Sequence, residues 1–323
     1  MKHIPVLKNE VLRYLDLSNR GLIIDATLGL GGHSEAILES KEFKGKILGI
    51  DQDQSHLDFA KEGLKKYGDR FTAVKANFSE LEQLINTREI KFDGILFDLG
   101  IASPHLDLPE RGFSYQSDGP LDMRMDRAKE MTAAEIINNF SADALRKIFR
   151  DYGEEPLSGP IVNRIAEERR RNEIKTTGQL AAIIEQVYAG HFRKRSIKHP
   201  ATKVFQALRI AVNDEMRVLE KALDAAIAHI EENGRIIVIS YHSLEDRIVK
   251  TKFREAANPC ACPPKLPYCA CSKKPQLRIL NRKPIIPGDS EIILNPRSRS
   301  AKMRVGSRIT RSTPCNPCTP CNP

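Results

Sequence analysis

Three largely apolar runs near the N-terminus each end in an aspartate, and this repeated pattern constrains the fold more than any other feature. The runs are Leu22–Asp25, Lys46–Asp51 and Gly94–Asp98, and helix-like stretches separate them. Short continuous runs of this kind are typical of strands buried on both faces of a parallel sheet. Because open parallel sheets bind their ligands at the carboxyl ends of the strands, we expect the three aspartates to line one binding site.

A glycine-rich loop follows the first run, with the sequence Asp-Ala-Thr-Leu-Gly-Leu-Gly-Gly-His over residues 25–33. Glycines allow a sharp turn and a close approach of the backbone to a ligand, and a helix predicted to begin at Ser34 would present free amide groups. Asp51 follows the glycines by about 20 residues, the spacing at which a carboxylate holds both hydroxyls of a ribose. The loop therefore predicts a nucleoside-containing cofactor.

The order of residues in the loop separates two cofactor classes. Dinucleotide sites use Gly-x-Gly-x-x-Gly directly after the strand, whereas here the acidic Asp25 precedes the glycines. A carboxylate would repel a pyrophosphate but attract the sulfonium and ammonium groups of S-adenosylmethionine. The pattern favours a methyltransferase over a dehydrogenase. Phe78 follows the strand-like run Phe71–Lys75, where it is either an adenine-stacking residue or a member of the core.

Further motifs give the chain a family resemblance over nearly its whole length. They are residues 3–7 (HIPVL), the glycine loop, residues 97–104 (FDLGIASP), 111–114 (RGFS), 118–126 (DGPLDMRMD), 199–202 (HPAT) and 239–247 (ISYHSLEDR). In this order the motifs resemble the RsmH or MraW family, the bacterial ribosomal RNA small-subunit methyltransferases H. The resemblance implies methyl transfer from S-adenosylmethionine to the exocyclic N4 of one cytidine in the decoding region of small-subunit (16S) ribosomal RNA.

The resemblance also implies an α/β fold, a Rossmann-like S-adenosylmethionine-dependent methyltransferase sheet carrying an inserted α-helical domain. The cofactor-binding residues expected from it are Gly31, Gly32, His33, Asp51, Phe78, Asp98 and His105. His33 could instead cap the following helix. Family members often carry Gln at the position of His105, and both side chains offer a hydrogen-bond donor and an acceptor.

The chain after Asp98 predicts the domain organisation. A loop rich in Pro and Gly leads into helical segments near 133–139, 142–152, 161–172 and 177–188, followed by one long helix over about 202–232 and a strand over Arg235–Ser240. We predict a discontinuous methyltransferase domain, residues 1–119 and 199–310, with a helical substrate-recognition domain inserted at 120–198. Residues 311–323 form a Cys/Pro-rich tail that we expect to be disordered.

Several groups are candidates for binding the substrate. The net charge of +9 suits a polyanion, and the basic run that contains Arg193, Lys194 and Arg195 predicts phosphate contacts. A second run at 167–171 is diluted by glutamates and is equally typical of a solvated helix face. Residues 273–311 hold eleven Lys or Arg against two acidic residues, and 297–304 predicts a strand with basic edges that could lie on RNA.

Other substrate candidates come from the matched motifs. Asp122 and Arg124 are expected to form a lid on the target side, and Tyr241 could stack on the target base. We expect the partner to be small-subunit ribosomal RNA, within the assembled subunit.

Asp98, Ser103 and His242 are the candidate catalytic residues. Acceptors that bind the amino hydrogens of cytosine can make its nitrogen more reactive, and the Asp98 segment with its Ser-Pro pair supplies such groups. Asp98 could equally serve the cofactor. Methylation at a ring carbon requires a cysteine nucleophile, and no cysteine precedes Pro259, so this chemistry is excluded. An amino-methyltransferase for DNA and a non-catalytic RNA-binding assembly factor stay open as alternatives.

The seven cysteines all lie late in the chain. Cys260, Cys262, Cys269 and Cys271 could hold Zn²⁺, although unpaired thiols are the simpler interpretation and the default expectation is no metal. No apolar run is long enough to span a membrane, and the polar start lacks a signal-peptide pattern, so we expect a cytoplasmic enzyme without a membrane partner. A homodimer is also compatible with the sequence.

Overall fold

The computed structural model describes residues 5–100, 108–191, 199–260, 262, 271 and 273–310. The chain divides into two compact units: a sheet unit formed by Met1–Gly100 and Met216–Pro323, and a helical unit formed by Ile101–Glu215. The sequence predicts the divisions at 119/120 and 198/199. The helical unit therefore also takes in the loop before residue 120 and the helix that follows residue 199.

The sheet unit contains a seven-stranded sheet in the order β3-β2-β1-β4-β5-β7-β6. Its strands are β1 Leu22–Asp25, β2 Lys46–Asp51, β3 Phe71–Lys75, β4 Gly94–Asp98, β5 Arg235–Ser240, β6 Leu277–Ile279 and β7 Lys302–Arg308. Strand β7 runs antiparallel to both neighbours, and all other pairs are parallel. The five strands β1 to β5 have the predicted bounds, because each is an apolar run that ends at a polar residue.

The described residues form twelve α-helices. They are α1 Lys8–Leu15, α2 Gly32–Glu39, α3 Gln54–Leu64, α4 Leu81–Arg88, α5 Ala133–Asn139, α6 Ala142–Gly153, α7 Ser158–Arg171, α8 Thr177–His191, α9 Thr202–Asn213, α10 Glu215–His229, α11 Ser243–Ala257 and α12 Asp289–Leu294. None of these helices has the length and apolar character that crossing a membrane requires.

Helices cover both faces of the sheet, because neighbouring residues of a buried strand point to opposite sides. Ile23 packs in the same core as Val11 of α1 and Ile37 of α2. Its neighbour Ile24 lies in a second core, together with Leu81 of α4 and other residues from α10 and α11. This doubly covered sheet directs the carboxyl ends of β1, β2 and β4 toward one edge.

The helical unit has its own core, built from residues such as Ile137, Phe149, Ile161, Ile184 and Leu208. The single long helix predicted over about 202–232 is wrong. Helix α9 ends at Asn213, and Asp214 adopts a positive φ of 54°, which ends the helical backbone before α10 begins.

The side chain of Asn213, the last residue of α9, binds a loop from much earlier in the chain. It donates to the Met123 carbonyl at 2.9 Å and accepts from the Met125 amide at 2.9 Å. Asn213 thus ties the loop of residues 118–126 to the end of α9 and satisfies polar groups that would otherwise be buried without partners.

The basic C-terminal region also differs from the prediction. A short 3-10 helix occupies Pro296–Ser300, and the strand begins only at Lys302. Arg304 is 8% exposed and forms two hydrogen bonds with Asp246, at 2.6 Å and 3.1 Å. Arg304 is therefore an internal partner of α11 and does not form a basic edge for RNA.

Candidate functional site

The three strand-end aspartates lie at the same edge of the sheet, as predicted. In the parallel ladders Asp25 pairs with Gly49 of β2 and with Leu96 of β4, so Asp51 and Asp98 each extend two residues further along their strands. Each carboxylate has a different set of partners, and these partners define what each one can do.

Asp51 holds the glycine loop in place. Its Oδ2 accepts a hydrogen bond from the Gly29 amide at 2.8 Å, and its Oδ1 accepts from the Asp53 amide at 2.8 Å. The Nδ1 atom of His56 lies 3.4 Å from Oδ2. Because a carboxylate oxygen has more than one lone pair and this side chain is 12% exposed, Asp51 can still accept hydrogen bonds from a ribose.

The backbone of the loop requires glycine at two positions. Gly29 and Gly31 have positive φ angles of 50° and 82°, which disfavour other residues. A Cβ atom on Gly31 would also lie 3.1 Å from Cδ1 of Leu64. Helix α2 begins at Gly32, two residues before the predicted start. The first amide groups of the helix therefore come from the glycine loop itself.

Asp25 is buried and turns toward α2. It accepts a hydrogen bond from the Ser34 hydroxyl at 2.7 Å and one from the Thr27 amide at 3.4 Å. Burial raises the pKa of Asp25 although the Ser34 hydrogen bond and the nearby His33 oppose the shift. The expectation that Asp25 faces a cationic ligand group therefore needs correction, since its carboxylate fastens β1 to α2.

Asp98 has partners from three separate parts of the chain. Its amide donates to Thr27 Oγ1 at 2.6 Å, its Oδ1 accepts from the Tyr241 hydroxyl at 2.8 Å, and its Oδ2 lies 3.4 Å from His33 Nε2. Burial would raise the pKa of Asp98, but His33 and the Tyr241 hydroxyl outweigh burial and hold the pKa below its usual value. Asp98 is consequently a buried, ionised carboxylate.

The imidazole of His33 is buried beside this carboxylate. Its Nε2 atom makes no hydrogen bond among the residues that the structure describes. A buried polar atom without a hydrogen bond is unfavourable, and a bound ligand is one of the groups that can supply one. His33 lies within α2, so the alternative role as a helix cap does not apply; the cap position is Gly31.

Tyr241 is held by contacts on its hydroxyl and its ring. A Cβ atom on Gly100 would lie 2.9 Å from Cε2 of Tyr241, so the ring packs directly against this glycine. Burial and the charge of Asp98 raise the pKa of the Tyr241 hydroxyl, which keeps its proton for the hydrogen bond to Asp98. Stacking of Tyr241 on a target base stays a prediction.

His242 occupies the N-cap of α11. Its Nδ1 atom accepts a hydrogen bond from the Glu245 amide at 3.4 Å, and its Nε2 atom lies 2.9 Å from Glu245 Oε1. The carboxylate of Glu245 in turn accepts from the Tyr241 amide at 2.8 Å. This capping box begins the helix at Ser243, and it gives His242 a structural role there.

Phe78 begins a short 3-10 helix, Phe78–Glu80, that follows β3. Asn77 caps this helix and donates to Gln52 Oε1 at 2.8 Å, which ties the segment to the end of β2. The ring of Phe78 meets the ring of Phe97 edge to face, with centroids 6.0 Å apart. Phe78 is partly buried, so it contributes to the core and keeps an exposed portion.

In the helical unit, Asp122 and Arg124 form a two-pronged ion pair. The guanidinium Nε and Nη2 atoms lie 2.8 Å and 2.8 Å from the two carboxylate oxygens. Burial would raise the pKa of Asp122, but Arg124 lowers it overall. The remaining site candidates, Ser103, His105, Arg193, Lys194, Arg195 and Cys269, and the tail of residues 311–323, lie outside the described residues.

Sequence reasoning missed the side chains that position these carboxylates. Thr27, His56 and Glu245 are ordinary residues in the sequence, and no spacing rule links Tyr241 to Asp98. The only available signal was that Thr27 and Glu245 lie within matched motifs.

The sheet order with an antiparallel seventh strand, together with a glycine loop and an acidic residue at the end of β2, defines the fold class of S-adenosylmethionine-dependent methyltransferases. The sequence model of the MraW methylase family matches residues 1–309. The chain belongs to this family.

Relatives of known name are similar to this protein over nearly its whole length. A ribosomal RNA small subunit methyltransferase H from Halothermothrix orenii is 47% identical over 310 residues, covering 96% of this chain and 99% of the relative. One from Dehalococcoides mccartyi is 49% identical over 95% of this chain and 86% of its own length. Among solved structures, an rRNA methylase from Streptococcus thermophilus aligns with 94% of this chain and 94% of its own, at 9% identity and a TM-score of 0.39.

Proposed function

We propose that this protein transfers a methyl group from S-adenosylmethionine to the exocyclic N4 of a cytidine in the decoding region of small-subunit ribosomal RNA. The observation that carries the proposal is the ionised carboxylate of Asp98, held by Tyr241 and beside His33 at the edge where Asp51 secures a glycine loop. The relatives named as small-subunit methyltransferases support the choice of RNA.

The residues present fit the cofactor. Asp51 offers acceptors to the ribose, Gly31 and Gly32 bring the backbone close, and Phe78 offers a ring face to the adenine. His33 would gain a hydrogen bond for its buried Nε2 atom, which among the described residues has only the 3.4 Å contact with Asp98. When bound, S-adenosylmethionine supplies a methyl group on a positively charged sulfur, and we also assign His105 to this set from the resemblance.

Asp98 is suited to orient the reacting amine. Its lowered pKa keeps it ionised, and an ionised carboxylate accepts hydrogen bonds from amino hydrogens. Orientation is a major contribution here, because methyl transfer needs the nucleophile in line with the bond that breaks. We assign Ser103 as a neighbouring acceptor from its motif, whereas the cap contacts of His242 favour a positioning role over proton transfer.

The helical unit is proposed to dock the RNA. Arg170 and Arg171 lie on the last turn of α7 and are both exposed, whereas Arg169 donates to the Ile137 and Phe140 carbonyls at 2.7 Å and 2.8 Å. Arginines that reach solvent neutralise phosphates without reading the base sequence. Arg193, Lys194 and Arg195 are assigned to the same role from the sequence.

The Asp122 and Arg124 pair is proposed to fix the loop of residues 118–126 as a preformed substrate surface. Arg124 also donates to the Arg127 carbonyl at 3.1 Å, so the loop is closed by its own contacts. The order that these contacts impose would limit the entropy lost when RNA binds.

We further propose the assembled small subunit as substrate and the cytoplasm as the place of action. The curated relatives are named for the small ribosomal subunit, and subunits assemble in the bacterial cytoplasm. The protein acts either as a monomer or as a homodimer, and sedimentation of the purified protein distinguishes the two.

The decisive experiment incubates the protein and isotopically labelled S-adenosylmethionine with unmethylated small subunits, and separately with their naked RNA. Mass spectrometry of the nucleosides should show labelled N4-methylcytidine in the subunit sample. Label on cytosine C5, or none on RNA, would contradict the proposal. The Asp98→Asn variant serves as the control for chemistry, because it keeps the shape of the side chain but removes its charge.

The same assay distinguishes two other functions. Equal labelling of a matching DNA oligonucleotide would indicate a DNA amino-methyltransferase, since only RNA carries the 2′-hydroxyl. Tight RNA binding without turnover of the cofactor would indicate a non-catalytic assembly factor.

A further inference from the structure

Three cysteine thiols converge in the segment between α11 and β6, away from the strand-end aspartates in the sequence. The Sγ atoms of Cys260, Cys262 and Cys271 all lie within 4.8 Å of one another. The three residues are partly buried. Cys260 and Cys262 lie before a stretch of eight residues that the structure does not describe, and Cys271 lies after it. The proximity of Cys271 to the other two therefore depends on the fold and not on adjacency in the sequence.

Backbone hydrogen bonds fix both ends of this cysteine segment, residues 258–276. The Asn258 amide donates to the Arg254 carbonyl at 2.8 Å, which continues the last turn of α11. The Gln276 amide donates to the Ala256 carbonyl at 2.8 Å, and the Ile309 amide donates to the Gln276 carbonyl at 3.0 Å. The chain therefore returns to the end of α11 before it enters β6, which brings the cysteines together.

The composition of the cysteine segment suggests that a cross-link stabilises it. Its sequence contains five prolines, a residue type that is disfavoured inside helices and central strands, and few apolar residues. A sequence of this composition has little apolar burial to stabilise it and is a candidate for a cross-link. Small units of this kind often use a structural metal.

We propose that Cys260, Cys262 and Cys271 bind a structural Zn²⁺ ion that joins the end of α11 to β6. Two sulfurs on one tetrahedral zinc stand about 3.8 Å apart, because each Zn–S bond is about 2.3 Å long, and the observed grouping accommodates this spacing. Each cysteine binds as a thiolate, so its proton passes to solvent when the metal binds. The three thiolates fill three of the four positions of the ion.

The charges of the cysteine segment agree with a thiolate site. It contains no aspartate or glutamate, and Lys273 and Lys274 follow Cys271 after one intervening serine. Cationic neighbours favour thiolate over thiol, and zinc is bound by thiolates more readily than are the hard cations Mg²⁺ and Ca²⁺. A disulfide is the competing arrangement, but it would use only two of the three sulfurs.

The first test measures the metal content of the purified full-length protein by mass spectrometry. We expect about one zinc per chain, and a drop of about tenfold or more in Cys260→Ser and in Cys271→Ser. The matched control replaces Cys315, Cys318 and Cys321 together with serine and should keep its zinc. Zinc retained in the double variant Cys260→Ser/Cys271→Ser would overturn the proposal.

A second measurement does not depend on the folding of variants. The wild-type protein, stripped of metal and reloaded with Co²⁺, should show thiolate-to-cobalt charge-transfer bands and the visible bands of a tetrahedral site. Absence of these bands would overturn the zinc proposal. Cysteines that react with an alkylating agent only after reduction would also overturn it, because they would be in disulfides. Neither result bears on methyl transfer, so the zinc proposal fails or stands independently of the proposed function.

Discussion

The Tyr241 hydroxyl donates a hydrogen bond to Asp98 Oδ1 at 2.8 Å, although the two residues stand 143 positions apart in the chain. The pairing follows from the parallel register of β4 and β5, in which Asp98 lies beside Ile239, two residues before Tyr241. The helical unit lies between these strands in sequence, so Asp98 receives its hydroxyl partner only after the two ends of the sheet unit have met.

Tyr241→Phe tests whether this hydrogen bond prepares Asp98 for the reaction. A hydrogen bond to a charged group contributes about 1.5–3 kcal/mol, so we expect the methyl-transfer rate at saturating cofactor to fall roughly tenfold or more. Tyr14→Phe, on α1, is the control and should leave the rate unchanged. A Tyr241→Phe enzyme with the wild-type rate would show that Asp98 does not need the hydroxyl.

Asp51→Asn tests the cofactor site. An amide nitrogen cannot accept hydrogen bonds from Gly29, Asp53 or a ribose, so we expect S-adenosylmethionine to bind about 10- to 100-fold more weakly by calorimetry. The control is Asp58→Asn on the exposed face of α3, where the carboxylate accepts from Gln54 at 2.8 Å. Equal affinities of the two variants would remove Asp51 from the site.

Gly31→Ala tests the shape of the glycine loop. The φ of 82° and the close Leu64 side chain both disfavour a Cβ atom, so we expect a loss of about 1–2 kcal/mol in the free energy of unfolding. Gly63→Ala is the matched control in α3, where a Cβ would meet no atom within 4 Å. That change should stabilise the protein slightly, because alanine favours a helix. Chemical denaturation of both variants measures the difference.

The raised pKa of Asp25 predicts a pH-dependent effect of Asp25→Asn. A carboxyl group whose pKa is higher in the folded state stabilises the fold in its protonated form, and this contribution is lost as pH rises through the folded pKa. The stability of Asp25→Asn relative to wild type should therefore increase as the pH rises above about 4, the ordinary pKa of an aspartate. Urea unfolding at several pH values measures this difference. If the difference in unfolding free energy between the variant and the wild type is the same at every pH, burial does not raise the pKa of Asp25.

The arginines at the end of α7 should have two different roles, Arg169 a structural one and the pair Arg170 and Arg171 an RNA-binding one. Arg169→Ala removes hydrogen bonds to two carbonyls near the end of α5, so we expect a decrease of about 1–3 kcal/mol in the free energy of unfolding. Arg170→Ala/Arg171→Ala should leave the melting temperature unchanged. That variant should reduce the slope of log affinity for RNA against log salt by about 0.7–0.9 for each phosphate that is no longer neutralised. An unchanged salt dependence of RNA affinity would mean that the RNA does not contact Arg170 or Arg171.

The bounds of β1 to β5 could be predicted because each depends on a local run of apolar residues that ends at a polar one. The helices of the inserted region were predicted within a few residues for the same reason, since their apolar positions repeat at the helical period. The break at Asp214 could not be predicted, because the apolar pattern continues through it, and the contacts that accompany it join Asn213 to a loop about 90 residues earlier.

The sequence by itself determined strands β1 to β5, the glycine loop and the presence of acidic residues at the strand ends, since these depend on local backbone preference and burial. Tertiary structure alone decided what each carboxylate does. Asp25 binds Ser34, Asp51 binds the loop amides, and Asp98 binds Tyr241. The pKa of Asp25 is raised and that of Asp98 is lowered, and all three carboxylates have different partners, because the packing of distant segments sets their burial and the donors within reach.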